Sequence, residues 1–243
     1  MELKTVGIVR NGIMDRKAMP PLGAPSSVVI LEDFAGALLE FDKHSHVWVL
    51  VWLDRGGRDV LQVTPRGGTK LHGVFAVRSP VRPNPIGLTA ARVVCREGLE
   101  IRFDRLDFLD GTPVVDVKPY FVSRDLIFSA NNARVGNPVN REAERESLVM
   151  QAVRFHGEDC PETQFAADLV LRLRQETADS EGWTVSVPLY RPKLIDALMG
   201  ILRVSPGRGT LRLSGADEVV FEKDGRTLRF PVGPLADARG SAV

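Results

Sequence analysis

The densest run of chemistry-bearing residues is Arg78-Ser79-Pro80-Val81-Arg82-Pro83-Asn84-Pro85-Ile86-Gly87. Its three prolines each fix φ and remove an N–H donor. The loop is therefore predicted to be stiff, with carbonyls that have few local donors. Such carbonyls suit an adenine amino group or the positive centre of a sulfonium. Arg78 and Arg82 add permanently charged planar forks that match a carboxylate or a phosphate. The other reading of the same residues is a rigid connector whose arginines pair with nearby acids.

A second run is Leu106-Asp107-Phe108-Leu109-Asp110-Gly111-Thr112-Pro113, continued by Val114-Val115-Asp116-Val117-Lys118-Pro119-Tyr120. Asp110-Gly111 reads as a turn between strands. Asp116 and Lys118 alternate with Val115 and Val117, which sends both polar groups to one face of a strand. Beside Tyr120 they form either a proton-handling or anion-binding group, or a solvated ion pair.

The elements that must position these runs read as β through the first half. Residues 3–10, 27–31, 46–53, 74–77, 90–95, 100–103 and 114–117 form short apolar runs separated by Gly- and Pro-bearing turns. That spacing predicts a sandwich or barrel. Residues 46–53 are almost wholly apolar and carry Trp48 and Trp52, so both faces are expected to be covered. No glycine-rich strand-to-helix turn of the dinucleotide type occurs, which disfavours a Rossmann-like fold. Around residues 129–140 the composition shifts to turn formers, which predicts a linker. Helices are then predicted over 141–155, with Asn140 as N-cap, over 161–178, and over 192–202. Runs at 210–213, 219–221 and 227–230 follow, with Asp224-Gly225 as a hairpin turn between the last two. From Gly233 the sequence is small and polar and is expected to fray.

Composition bounds the function. The chain has 243 residues, 44% hydrophobic and 26% charged, with a net charge of +1. It can bury one large core or two modest ones. Near-neutral charge argues against wholesale nucleic-acid coating but leaves room for a local basic face. Arg55, Arg58, Arg66 and Lys70, in Gly-rich loops, are candidates for such a face. The two cysteines, Cys95 and Cys160, lie far apart, so no disulfide framework is predicted and a reducing cytoplasm fits. No signal peptide is expected at the N-terminus, and no apolar run approaches the ~20 residues of a membrane span.

Residues 74–88, then Leu109-Asp110-Gly111-Thr112-Pro113-Val114-Val115-Asp116-Val117-Lys118-Pro119-Tyr120, resemble the signature of the TrmO-type tRNA methyltransferases, in order and spacing. Gly7-Ile8-Val9 and residues 41–49 resemble that family's first and third strands, so the likeness spans about residues 3–125. It departs after Arg10, where Asn11-Gly12-Ile13 stands in place of Ser-Pro and an aromatic.

The resemblance implies a small β-barrel that binds S-adenosylmethionine, commonly as a homodimer with the cofactor near the interface. It also implies methyl transfer to N6 of threonylcarbamoyl-adenosine beside the anticodon of tRNA. Carried over by position, Asp116, Lys118, Arg82 and Asp110 are the catalytic candidates. Arg78, Ser79, Pro83, Asn84, Pro85, Ile86, Gly87, Leu109, Gly111, Thr112 and Tyr120 are the cofactor-binding candidates. Arg78 or Arg82 would hold the threonyl carboxylate. His44 and His46, at a strand entrance, are assigned packing or hydrogen-bonding roles.

Phe155-His156-Gly157-Glu158-Asp159-Cys160-Pro161, with a later hairpin, resembles the E-type domain of formylmethanofuran dehydrogenase. There a Phe-His-Gly-His-x-Cys-Pro pattern opens a metal-associated fold. Here Glu158 replaces the second His and no cysteine follows Cys160. His156 and Cys160 alone fall short of a closed site, so the pair is read as structural and no metal ligands are predicted. The expected organisation is a barrel over 1–128, a linker and helix start over 129–147, a smaller α+β domain over 148–233, and a tail over 234–243. Two competing functions belong to other classes. One is a non-catalytic S-adenosylmethionine- or nucleotide-binding regulatory module. The other is a metal-binding accessory protein led by the C-terminal part.

Overall fold

A computed structural model describes residues 2–130, 135–177 and 180–233. The chain divides into two compact units, Met1–Val139 and Asn140–Val243. Part of the predicted linker (131–134), the end of the predicted second helix (178) and the predicted tail (234–243) lie outside the described residues.

In the first unit, strands β1 (Gly7–Arg10), β2 (Ala24–Ile30), β3 (His46–Trp52), β6 (Ile86–Glu97), β7 (Glu100–Leu106) and β8 (Pro113–Pro119) close into an antiparallel barrel. Their order is β1-β2-β7-β6-β3-β8. Two short strands, β4 (Gln62–Val63) and β5 (His72–Gly73), pair apart from it. A single helical turn, α1 (Val122–Asp125), follows β8. Side chains alternate along β3: Val47, Val49 and Val51 are fully buried, while Trp48, Leu50 and Trp52 are half-buried. Each buried valine is worth about 1.5–3 kcal/mol relative to exposure. A one-residue slip would lose all three, so the register is strongly specified.

Three expectations change. The outer face of β3 is only partly covered, because a barrel has one interior: Trp48 lies against Tyr120 at 5.6 Å, and Trp52 sits beneath the Arg58 guanidinium at 5.3 Å. The predicted strand at 74–77 is a 3₁₀ turn over Val74–Ala76. The Arg82 guanidinium takes the carbonyls of Val74 and Val77, which a ladder would need. On β8 the register shifts between Leu50↔Asp116 and Val51↔Val114. That bulge turns Val114 and Val117, rather than Val115 and Val117, toward the core, and leaves Asp116 and Lys118 facing outward together.

In the second unit, α2 (Arg141–His156), α3 (Pro161–Thr177) and α4 (Pro192–Leu202) pack with a sheet of order β10-β9-β11-β12. Its strands are β9 (Thr184–Pro188), β10 (Leu211–Ser214), β11 (Glu218–Lys223) and β12 (Arg226–Pro231). Asn140 caps α2 by accepting from the Ala143 N–H at 2.8 Å. Asp224 and Gly225 both take positive φ, the geometry of the tight turn their sequence implies. Leu148, Leu169, Leu173, Trp183, Leu194, Leu198, Phe221 and Phe230 build the core. Glu162 and Arg191 are buried within this unit as a two-bond ion pair, at 2.7 and 2.9 Å.

Candidate functional site

Three loops converge at one end of the barrel. The first is the proline-rich elbow at 78–87, the second is residues 53–57 after β3, and the third is residues 107–111 between β7 and β8. The Leu53 N–H donates to the Pro85 carbonyl at 2.7 Å, and the Arg82 N–H to the Gly57 carbonyl at 3.1 Å. A side chain on Gly56 would lie 2.6 Å from the Pro80 carbonyl oxygen, so the two loops touch backbone to backbone. At Gly87 an added methyl would meet Val51 at 2.6 Å and Phe108 at 2.8 Å. Glycine there lets the elbow enter β6 flush against the core. The Ser79 hydroxyl accepts from the Val81 N–H at 3.2 Å and tightens the turn.

Among the described residues, the carbonyls of Val81, Arg82 and Pro83 accept no hydrogen bond. Pro83 and Asn84 are exposed, and Ile86 is 39% exposed. The elbow is therefore stiff and presents unpaired acceptors, as its prolines predict. Arg82 has a different occupation. Its guanidinium is directed at the Val74 and Val77 carbonyls, and its Nε is buried without a partner. Arg78 is exposed and remains the elbow's outward-facing fork.

Asp110 holds the neighbouring loop. Its Oδ1 accepts from the Asn11 N–H at 2.8 Å and the Gly12 N–H at 3.1 Å, and Arg10 lies 3.6 Å from Oδ2. Those two backbone donors, ahead of the Arg10 charge, hold its carboxyl below the ordinary range. A carboxylate held down in this way is a weak base. Asn11 extends the same arrangement through Nδ2, which donates to the Phe108 carbonyl at 2.9 Å and the Ser26 hydroxyl at 3.0 Å. The Thr112 hydroxyl donates to the Leu109 carbonyl at 2.7 Å, and Gly111 takes φ 79° at the turn. Arg55 closes the ring, with Nη2 donating to the Asp110 carbonyl at 3.3 Å.

Asp107, to which the sequence assigns no role, behaves in the opposite way. Desolvation pushes its carboxyl up, against the pull of its own backbone N–H and of Arg78. The residue as a whole remains exposed to solvent. Spacing alone could not choose between two aspartates three residues apart. Backbone donors at Asp110 and desolvation at Asp107 do.

Asp116, Lys118 and Tyr120 line the outer wall, not the end. Lys118 Nζ is 2.5 Å from Asp116, with both side chains substantially exposed. Lys118 stands opposite Trp48, while the elbow joins at Trp52. Four residues of strand make that about 13 Å. Within one chain, the elbow and the Lys118–Tyr120 wall are thus separate. Beside that wall, Ile86 and Leu88 are 39% and 40% exposed, opposite half-buried Trp52 and Leu50.

Of the basic candidates, Arg66 and Lys70 are exposed in the loop joining β4 to β5. That loop is tied to Asn137, whose amide donates to the Gly67 carbonyl at 2.9 Å. His44 packs edge-on against Phe121 at 5.9 Å, and His46 Nδ1 lies 3.0 Å from the Ser45 hydroxyl. No helix among the described residues is long and apolar enough to cross a membrane.

A six-stranded closed barrel whose end is built from a proline elbow and an Asp-Gly turn defines a small-barrel protein with one rigid, polar rim. The family described as the tRNA-methyltransferase O N-terminal domain matches residues 15–126. A probable S-adenosyl-L-methionine-binding protein of Methanothermobacter thermautotrophicus is 40% identical over 130 residues, covering 51% of this chain and 93% of that one. Another so named, from Archaeoglobus fulgidus, is 38% identical over 167 residues; the match takes in 66% of this chain but only 45% of that relative. The tRNA (adenine(37)-N6)-methyltransferase of Escherichia coli is 28% identical over 173 residues, covering 62% of this chain and 74% of that one. The chain belongs to the TrmO family.

Proposed function

We propose that this protein is an S-adenosylmethionine-dependent methyltransferase acting on N6 of threonylcarbamoyl-adenosine beside the tRNA anticodon. The observation that carries the reading is the convergence of residues 53–57, 78–87 and 107–111 on one rigid rim. The rim fits the cofactor: unpaired carbonyls at 81–83 suit an adenine amino group or a sulfonium, and Arg78 suits a carboxylate. Ser79, Pro83, Asn84, Pro85, Ile86 and Gly87 would form the elbow side of the site. Leu109, Gly111 and Thr112 would support it from the facing turn. When bound, the cofactor supplies an electrophilic methyl group.

The chain's own task is alignment. In-line displacement gains most of its rate from holding the nucleophile in place, and a prestiffened loop has little freedom left to lose. The N6 nitrogen, between a carbamoyl group and a purine, also needs its proton removed. Asp107, with its carboxyl pushed up beside Arg78, is the rim group suited to that step. Asp110 holds the loop instead.

Asp116, Lys118 and Tyr120 would act from a second copy of the chain. The half-covered apolar wall around Ile86 and Leu88 suits a homodimer interface that brings one copy's wall to the other's rim. Arg66 and Lys70 would contact anticodon-stem phosphates. A cytoplasmic setting follows from the substrate.

A second reading, a binding module without turnover, draws on Arg82 and Asp110 being engaged with backbone. One experiment separates the two. The protein is incubated with methyl-labelled S-adenosylmethionine and tRNA lacking the modification, and nucleosides are read by mass spectrometry. Labelled methyl on threonylcarbamoyl-adenosine, lost in Asp107→Asn, is expected. Cofactor binding without transfer to any tRNA would establish the module instead.

A further inference from the structure

We propose that the corner between α2 and α3 is a site for a divalent metal ion of the zinc class. Its ligands are His156, Glu158 and Cys160, with Asp196 orienting the histidine. His156 is the last residue of α2. Gly157, at φ 98°, ends the helix and turns the chain back, so that Glu158 and Cys160 close around the imidazole. One donor atom from each of the three lies within 4.8 Å of the others. Zinc bonds of about 2.0–2.3 Å place tetrahedral ligands roughly 3.5 Å apart. His156 Nε2 and Glu158 Oε1, at 3.4 Å, already have that spacing.

The histidine carries the inference. Its side chain is only 9% exposed, and Nε2 is buried with no hydrogen-bond partner, the Glu158 contact lacking that geometry. On the other side of the ring, Asp196 Oδ2 lies 3.2 Å from Nδ1. A carboxylate only accepts, so Nδ1 holds a proton. Nε2, on the far side of the ring, faces the Glu158 carboxylate oxygen without a hydrogen bond to it. A buried ring nitrogen without a hydrogen bond, set beside a solvent-facing carboxylate oxygen, offers a cation two donors at once. Carboxylate, imidazole and metal in series is the arrangement that fixes a ligating histidine's tautomer and orientation.

Cys160 supplies the softer donor. Its carbonyl accepts from the Thr163 and Gln164 N–H groups at 3.1 and 3.2 Å, and its own N–H reaches the Thr163 hydroxyl at 3.0 Å. It therefore stands at the start of α3, a 17-residue helix that fixes its backbone. Lys193 of α4 pairs with Glu158 and neutralises it in the absence of a metal. Nitrogen, sulfur and oxygen donors together select a borderline ion such as Zn²⁺ rather than Mg²⁺ or Ca²⁺. Three protein ligands leave one tetrahedral position for water or a further ligand.

Cobalt tests the site by spectroscopy on the full-length protein after chelator treatment. One Co²⁺ per chain is expected, with a sulfur-to-cobalt charge-transfer band that Zn²⁺ removes by displacement. Cys160→Ser should abolish the band, and Cys95→Ser should keep it. Asp196→Asn should weaken binding by about 10–100-fold. A further measurement uses the unaltered chain, in case Cys160→Ser misfolds: Zn²⁺ should slow iodoacetamide labelling of Cys160 and leave Cys95 unchanged. No charge-transfer band, or equal labelling of Cys160 with and without Zn²⁺, overturns the proposal. The corner would then be held by the His156–Asp196 contact and the Lys193–Glu158 ion pair alone.

Discussion

Arg82 and Asp110 at the barrel rim bond to backbone groups, whereas Arg191 and Glu162 in the C-terminal unit bond to each other. The two regions use charge for different ends. At the rim, a guanidinium and a carboxylate hold connecting segments between strands, and leave the neighbouring Arg78 and Asp107 exposed. In the C-terminal unit, a buried pair ties the first turn of α3 to the residue before α4, and Arg191 Nη1 also donates to the Gly233 carbonyl at 3.0 Å. Loop-holding charges shape a surface. A paired buried charge specifies packing.

The largest effect should come from breaking the buried pair. Arg191→Ala leaves Glu162 uncompensated and should lower stability by about 3–5 kcal/mol, read from urea denaturation followed by the helical circular dichroism signal. A loss below about 1 kcal/mol would mean that water reaches Glu162 freely, and the contrast with the rim would fade.

Asp110 should give a smaller effect with a distinctive pH dependence. Asp110→Ala removes an acceptor of two N–H groups, much as losing a helix cap does, and should cost about 1 kcal/mol. Because the folded-state pKa lies below the unfolded one, this contribution is full above about pH 5 and disappears as pH falls through the folded value. Thermal melts of the unaltered chain should therefore lose more stability than those of Asp110→Asn between about pH 5 and 2. Parallel curves would show that the loop is held by something else.

The smallest stability change belongs to the wall. Lys118→Ala removes an exposed ion pair and should shift unfolding by less than about 0.5 kcal/mol. It should still cut methyl transfer at least about tenfold, if the wall acts on a partner's rim. Unchanged transfer would leave Lys118 as a solvated surface group.

Local elements were legible because their determinants are local. Asn140 before Glu142 and Glu144 fixes where α2 starts, and Asp224-Gly225 fixes its turn by positive φ alone. The elbow's stiffness likewise follows from prolines, whatever surrounds them. The strand expected at 74–77 failed because its carbonyls are claimed by Arg82, eight residues from Val74. The roles of Asp107 and Asp110 were hidden for the same reason: the donors on Asp110 come from Asn11 and Gly12 at the far end of the domain. At the α2–α3 corner, Glu158 reads in sequence as a lost ligand, yet the turn at Gly157 places its carboxylate beside His156.

Residue order is enough to read the family, the short-strand architecture, the helix caps and the rigid, doubly charged elbow. These depend on backbone freedom and on periodicity, which act within a few residues. Three outcomes emerge only once the chain has folded: which aspartate holds a loop and which is desolvated, the standing of Asp116 and Lys118 on the wall rather than the rim, and the meeting of three donors behind α2. They turn on electrostatics and packing between distant segments, and only closure of the fold sets the distances through which such forces act.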